Sequence, residues 1–464
     1  MHGAGAHWRR AELFAETCAR WARQHERALT IALIGVAAVL RILLVARSPT
    51  PFGYVWDPYH AGVQVLYRTG RLPVAEDCWA CFHPPLYYLL GWPFYAVGHW
   101  LQPQHDEIAL RWLGGLALAS GAVTIYYGYR LLRLFRCRGA SLVLGLALLL
   151  VCPCLFISSY GPEADIVLTA VLSAFLYYLV RYVARPGWAT RLDIIRIGVL
   201  AGAAAATKYS GMVAPVTVVL VMALQLARRP TRLEVSRAAL MLVVTVMVGG
   251  WKYVDNIRRY GEVLHANGSA SAGFALSGRR QGAPYDFTTI RLGELRRLLT
   301  GRSTGELTRF PVYHSVWTTL HALTWSDMSF FSVPSRHGDP SKPYPRKRTP
   351  VRLTMVVIVL AFVPEMLALA GVVRSLRHPV TWPIAIFAIV GGAAYLWWLL
   401  PQEDWALKTK YILFLLPPGV LYAMFGLGWL HRRLPALAGI PSLAIVLLIA
   451  AAHVYLYAFA VGGW

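Results

Sequence analysis

An all-α polytopic membrane protein is the fold class this sequence predicts. Of its 464 residues, 57% are hydrophobic and only 14% are charged, where a soluble globular chain carries roughly 25% charged residues. Apolar runs recur from Leu29 to the C-terminus, and at about 20 residues each is long enough to cross the hydrocarbon core as a helix. Short arginine-rich segments separate many of them, the mark of cytoplasmic turns. Within lipid every backbone polar group must be satisfied inside its own segment, so the runs are read as helices. The net charge of +23 then belongs largely to membrane-flanking turns, and nucleic acid is not an expected partner.

The elements follow in order. Residues 1–27 carry five arginines, too long and too charged a leader for a cleaved signal peptide. They are assigned to the cytoplasm, with the first span (28–46) as a retained anchor. The stretch FHPPLYYLLGWPFYAVG (82–98) is apolar but opens on His83-Pro84-Pro85 and contains Pro93. If it crossed, the basic turn RLLRLFRCR (130–138) would lie outside. If it lies along the membrane, that turn and the later basic segments 185–196, 227–237, 374–378 and 431–433 all fall inside. It is therefore read as a juxtamembrane helix in an outer loop, 47–106. About eleven spans result at roughly 20 residues each, near 28–46, 108–129, 139–158, 165–183, 194–207, 211–227, 237–254, 351–373, 380–400, 410–430 and 439–461. The chain divides into the N-terminus 1–27, a transmembrane module 28–254, a large outer loop 255–350 and C-terminal spans 351–464. The large loop is itself basic, but long loops are weakly governed by the charge rule. Its Gly- and Arg-rich runs read as flexible on their own.

This topology gathers ionisable residues on one face: Asp57 and His60 with Glu76, Asp77 and His83; then Glu163 and Asp165; then Lys208; then Asp404, Lys408 and Lys410. Ionisable groups at membrane depth are costly and mark function. Five stretches around them resemble the GT-C superfamily of membrane glycosyltransferases, nearest the protein-O-mannosyltransferase and aminoarabinose-transferase group. WDPYHAGVQVLYRTGRLP (56–73) is similar to that group's acidic opening, and FHPPLYYLL (82–90) to its His-Pro-Pro juxtamembrane start. SYGPEADIVL (159–168) stands where the family places a second acidic motif. ATKYSGMV (206–213) and GGWKYVDNIRRYGEVL (249–264) are similar to two later motifs, and LKTKYILFLLPP (407–418) is a weaker echo. The resemblance covers about residues 50–265 plus that echo. Pro58 departs from it, since relatives often carry a second acid there, and Cys78-Trp-Ala-Cys81 is not general to the superfamily.

The resemblance implies a GT-C bundle and a sugar donor on a polyprenyl phosphate, with a lipid, glycan or protein acceptor and membrane lipids as the other partners. Attack on the anomeric carbon needs a base near the acceptor hydroxyl, a role assigned to Asp57. The departing phosphate needs fixed cations. Lys208 is the first candidate, joined by Lys408, Lys410 and Arg258; simple snorkelling of Lys208 to the interface is the alternative. Glu163 and Asp165 could position the acceptor, bind a cation, assist Asp57, or only cap the next span. His60, His83, Asn256 and Tyr411 are supporting candidates, His83 by capping the juxtamembrane helix or ordering its loop. Cys78, Cys81 and His83 spell Cys-x-x-Cys-x-His, which lacks a fourth zinc ligand; a disulfide is the alternative in an oxidising compartment. No metal ligand set is expected, and no cofactor beyond a divalent cation, which stays open. Cys152 and Cys154 read as packing residues. Glu365 falls mid-span with no visible partner. Three rival readings remain: a transferase of lipid-linked oligosaccharide, a transporter or flippase, and a catalytically dead glycolipid-binding scaffold, for which Pro58 is the hint. The cytoplasmic membrane is the expected location, with the site facing outward.

Overall fold

Apolar composition becomes helix throughout. The computed structural model describes residues 17, 20–47, 57–265, 286–291, 315–326, 351–376, 380–399 and 408–461, and among them the only extended pairing is an isolated bridge between Asp286 and Ser315. The first long helix, α1 (Glu26–Arg47), is followed by the polar α2 (His60–Thr69) and by α3 (Leu86–Leu101). Gly70 ends α2 in the left-handed conformation, with φ 67°, which glycine adopts without steric cost. Then come α4 (Asp106–Leu134), α5 (Ala140–Val151), the short α6 (Pro153–Ser158) and α7 (Ala164–Ala184). Pro153 separates α5 from α6 because it lacks the amide proton a continuous helix needs.

The second half of the module is α8 (Arg191–Thr207), α9 (Val213–Arg228), α10 (Arg232–Gly249) and α11 (Trp251–Tyr260). Thr190 and Asp193 form a capping box at the start of α8, and Thr231 caps α10. Helix α12 (Val316–Trp325) lies within the large loop, and α13 (Val351–Ser375), α14 (Trp382–Leu399), α15 (Leu416–Arg433) and α16 (Pro435–Val461) close the chain.

Among the described residues, eight helices are long and apolar enough to span a membrane, nine if the bent pair α10–α11 counts as one span. Of the eleven expected spans, 139–158 is broken into α5 and α6, 237–254 is bent by 52° between α10 and α11, and 194–207 is carried by the 17-residue α8. Helix α3 has 16 residues and is not among the eight. It packs on α4.

Helix α7 is the core of the bundle. It is buried on all sides, with α4, α8 and α14 around it. Small residues bring α8 and α10 together: a methyl at Gly202 would lie 2.7 Å from the Thr245 carbonyl oxygen. Lipid tails are as apolar as side chains, so such close backbone packing, rather than a hydrophobic drive, holds membrane helices together.

The mid-span Glu365 has found its partners. The His321 Nδ1 lies 2.8 Å from its carboxylate, and the Trp325 indole donates to it at 2.8 Å. Both come from α12, so this polar cluster fastens part of the large loop to α13. Cys152 and Cys154 are buried, as packing residues should be.

Candidate active site

Residues flagged on four separate motifs meet at one end of α7. Asp57 lies just before α2 and is 2% exposed. Lys410 donates to Asp57 Oδ2 at 3.0 Å and to Glu163 Oε1 at 2.8 Å. Lys408 reaches Asp57 Oδ1 at 3.3 Å, and the Tyr411 hydroxyl donates to Oδ2 at 2.8 Å. Lys208 donates to Asp165 Oδ1 at 2.7 Å. Its ammonium also stands 4.3 Å from the Tyr411 ring centroid and 5.3 Å from that of Tyr59, within cation–π range. Three carboxylates and three ammonium groups thus neutralise one another in a buried cluster.

Local backbone explains how each group gets there. Glu163 and Asp165 sit at the start of α7, but their side chains do not cap it. They turn to Lys410 and Lys208 instead, so the capping alternative fails. Lys208 ends α8 in an extended conformation, and a tight 3-10 turn (Tyr209–Met212) follows. Gly211 makes that turn fit: a methyl there would lie 1.8 Å from the Ala204 carbonyl oxygen. Gly211→Ala is therefore expected to force the turn off α8 and cost about 1–3 kcal/mol, the usual range for overpacking. Thermal unfolding of the purified variant measures this; unchanged stability would show that the turn tolerates a side chain.

Lys408, Lys410 and Tyr411 come from the segment entering α15. Thr409, between the two lysines, donates to the Leu320 carbonyl of α12. The large loop therefore helps to hold the lysine pair. Asp404 falls outside the described residues.

Burial alone would raise the Asp57 carboxyl, but Lys408, Lys410 and Lys208 outweigh it and hold it well below the usual carboxylate range. Asp57 is thus ionised and, while so held, a weak base. Glu163 differs: burial dominates, and its carboxyl is raised despite Lys410. Burial also pulls the Lys408 ammonium below the usual lysine range.

Beside the cluster lies a cavity of about 220 Å³. Tyr59, His83, Lys208, Tyr209 and Tyr411 form its polar side, and Lys208 is its one cationic lining residue. The apolar wall is Val213 and Val216 at the start of α9, Val390, Ala394, Trp397 and Trp398 of α14, and Phe414. Val216 and Trp397 are exposed at the bundle surface. The cavity is thus a greasy groove between two spans, with an ammonium at its polar side.

Other expected residues are placed less centrally. His83 does not cap α3, whose first position is preceded by Pro85. It lines the groove, ringed by Tyr59, Phe82 and Tyr209. Burial and Lys208 hold its imidazole well below the ordinary value, so it is neutral. Asn256 donates to the Tyr209 hydroxyl at 2.9 Å and to the Val263 carbonyl at 3.0 Å, a positioning contact. His60 is half-buried on α2, and desolvation lowers its imidazole to about 4. Arg258 is not brought to the centre: it lines a different hollow with Lys252, Asp255 and Arg259. Tyr59, Tyr209, Trp397 and Trp398 were not legible as site residues.

The zinc reading of Cys-x-x-Cys-x-His does not fit. Cys78 and Cys81 form a disulfide, so no thiolates remain for zinc. Glu163 and Asp165 each face a lysine, where a divalent cation would need the carboxylates to itself. No group of three or more His, Cys, Asp or Glu among the described residues is placed to hold a metal ion.

No family model matches the chain, and no curated protein matches it in sequence. Solved structures do. The oligosaccharyltransferase of Archaeoglobus fulgidus, in complex with zinc and sulfate, is similar with a TM-score of 0.53 and 14% identity, over 92% of this chain and 53% of that one. Oligosaccharyltransferase AglB from the same organism, with an inhibitory peptide and a dolichol-phosphate, gives 0.53 and 14% over 94% and 56%. ArnT from Cupriavidus metallidurans bound to undecaprenyl phosphate gives 0.40 and 17% over 93% and 77%. The chain spans about half the length of the archaeal proteins. The chain is therefore similar in fold to about half of the archaeal oligosaccharyltransferase.

Proposed function

We propose that the protein is a glycosyltransferase that moves a sugar from a polyprenyl-phosphate donor to an acceptor hydroxyl at the outer face of the cytoplasmic membrane. The observation that carries this is the apolar groove between α9 and α14 with Lys208 at its polar side. An isoprenoid chain needs such an apolar wall, and its phosphate needs a cation beside it. The dolichol-phosphate held by the similar archaeal protein is a ligand of the same chemistry.

Donor binding would change the centre electrostatically. A phosphate competes with Asp165 for Lys208 and with Asp57 for Lys408. Relieved of Lys408, Asp57 regains basicity. The acceptor oxygen then attacks C1 of the sugar and its proton passes to Asp57. The bond from C1 to the phosphate oxygen breaks, and polyprenyl phosphate leaves with its charge stabilised by the lysines. Asp165 Oδ2, buried with no hydrogen-bond partner among the described residues, can accept from a sugar or acceptor hydroxyl. Lipid, glycan and protein acceptors all remain open.

The outward orientation rests on charge placement. The centre gathers the start of α7, the end of α8 and the entry to α15. The basic segments sit at the other ends of those helices: Arg185 after α7, Arg191 at the start of α8, and Arg432 and Arg433 ending α15. Basic ends face the cytoplasm, so the centre faces away from it.

Lys208→Ala tests the groove. Loss of one charge-assisted hydrogen bond, about 1.5–3 kcal/mol, should weaken binding roughly 10- to 150-fold. Undecaprenyl phosphate is titrated into the purified protein and intrinsic fluorescence followed, with Trp397 and Trp398 as reporters. Unchanged affinity would remove Lys208 from the phosphate site. The likeness to an oligosaccharyltransferase favours a second reading, an oligosaccharide on the lipid carrier. Comparing mono- and oligosaccharide donors in a transfer assay separates the two.

A further inference from the structure

We propose that a basic hollow at the end of the bundle opposite the carboxylate–lysine centre binds the phosphate headgroup of an anionic phospholipid. Helix α7 joins the two places. Asp165 is in its first turn and Arg185 is its C-terminal cap, and its 21 residues rise about 30 Å. Arg185 lines the hollow with Arg130, Arg133, Arg136, Arg138 and Tyr177, enclosing about 420 Å³. That volume admits a phosphoglycerol headgroup.

The charges there are unbalanced. Arg133 pairs with Glu26 at 2.7 Å, and Arg130 donates to the Tyr177 hydroxyl at 2.7 Å. Among the described residues no acidic residue lines the hollow, and the side chains of Arg136, Arg138 and Arg185 make no ion pair. Five guanidinium groups thus face one carboxylate. Helix dipoles favour cations at C-termini, which accounts for Arg133 and Arg185. They do not account for Arg136 and Arg138, which lie beyond the end of α4. Arg136 has φ 60° because it is the left-handed residue that ends α4: its amide donates to the Arg133 carbonyl and that of Cys137 to the Leu132 carbonyl, both at 3.0 Å.

Guanidinium forks match phosphate oxygens in pairs. The hollow lies where helices α4 and α7 end, and Leu134 supplies an apolar wall. Basic pockets between spans at a membrane surface suit anionic headgroups. A lipid therefore fits the site better than a soluble phosphate. This inference stands apart from the proposed reaction and does not depend on it.

The test titrates short-chain phosphatidylglycerol into the full-length protein in neutral detergent and follows thermal unfolding. Short-chain phosphatidylcholine and inorganic phosphate run alongside. A saturable rise in melting temperature is expected with phosphatidylglycerol only. Arg136→Gln with Arg138→Gln should weaken the apparent affinity at least roughly tenfold, whereas lysine at both positions should retain most of it. Arg185→Gln, outside the turn that ends α4, gives the same answer if the double variant does not fold. Arg229→Gln with Arg232→Gln, on basic residues that do not line the hollow, should change nothing. An equal response to inorganic phosphate would make this a soluble-anion site. Equal loss in the Arg229/Arg232 variant would reduce it to diffuse surface charge. No response to phosphatidylglycerol would refute it.

Discussion

Asp57→Asn is expected to lower glycosyl transfer by roughly 10²- to 10⁴-fold, the usual contribution of a positioned base, while the lipid donor still binds. The amide is close to isosteric and can still accept from Tyr411, which donates to Asp57 Oδ2 at 2.8 Å. What disappears is the negative charge that occupies Lys408 and Lys410. Those lysines become freer to meet a phosphate, so polyprenyl phosphate should bind as tightly as before or more tightly. This opposite movement of binding and rate separates a base from a structural anchor. Single-turnover transfer and equilibrium binding of undecaprenyl phosphate, measured on the same preparation, give the two numbers. A parallel fall in both would mean that Asp57 shapes the site and does no proton transfer.

Lys410→Met should produce the largest loss of stability in the molecule. The Lys410 side chain is 0% exposed and is the one cation that touches both Asp57 and Glu163. Removing one partner of a buried ion pair costs about 3–5 kcal/mol, because the other charge is left unpaired. Two carboxylates would be left facing each other, and one must take up a proton. Lys408→Met makes the comparison: that side chain is 11% exposed, and Asp57 keeps Lys410. Thermal unfolding in detergent should therefore rank Lys410→Met well below Lys408→Met. Adding Glu163→Gln to Lys410→Met should recover part of the loss by removing an unpaired charge. Equal stability of the two lysine variants would show that Lys410 is not the bridge between Asp57 and Glu163.

The spans were legible because lipid imposes length and apolarity on a contiguous segment, and contiguity is what a sequence displays. The six charged groups of the centre were legible singly, since each is an ionisable residue beside an apolar run. Their pairing was not. Lys408 meets Asp57 across 351 residues, and Lys410 meets Glu163 across 247, and no local pattern encodes such a contact. Arg258 was misplaced for a helical reason. It lies two residues from Asn256, and at 3.6 residues per turn that is roughly 200° around α11, so only Asn256 faces Tyr209. The groove aromatics were hidden among residues that interfaces use anyway. Glu365 lacked a visible partner because His321 and Trp325 lie in a loop with no readable motif. The cysteine pair was ambiguous because three residues of separation suit a thiolate site and a disulfide alike; the disulfide is what forms.

The most direct measurement is release of polyprenyl phosphate. The purified protein, reconstituted in liposomes, is given a polyprenyl-phosphate sugar and a mixed panel of lipid, glycan and peptide acceptors, and both free carrier lipid and new glycoside are quantified. The expected result is carrier release matched one for one by glycoside and lost in Asp57→Asn. Movement of intact donor across the bilayer, with no release and no dependence on Asp57, would contradict a transferase and make the protein a lipid transporter.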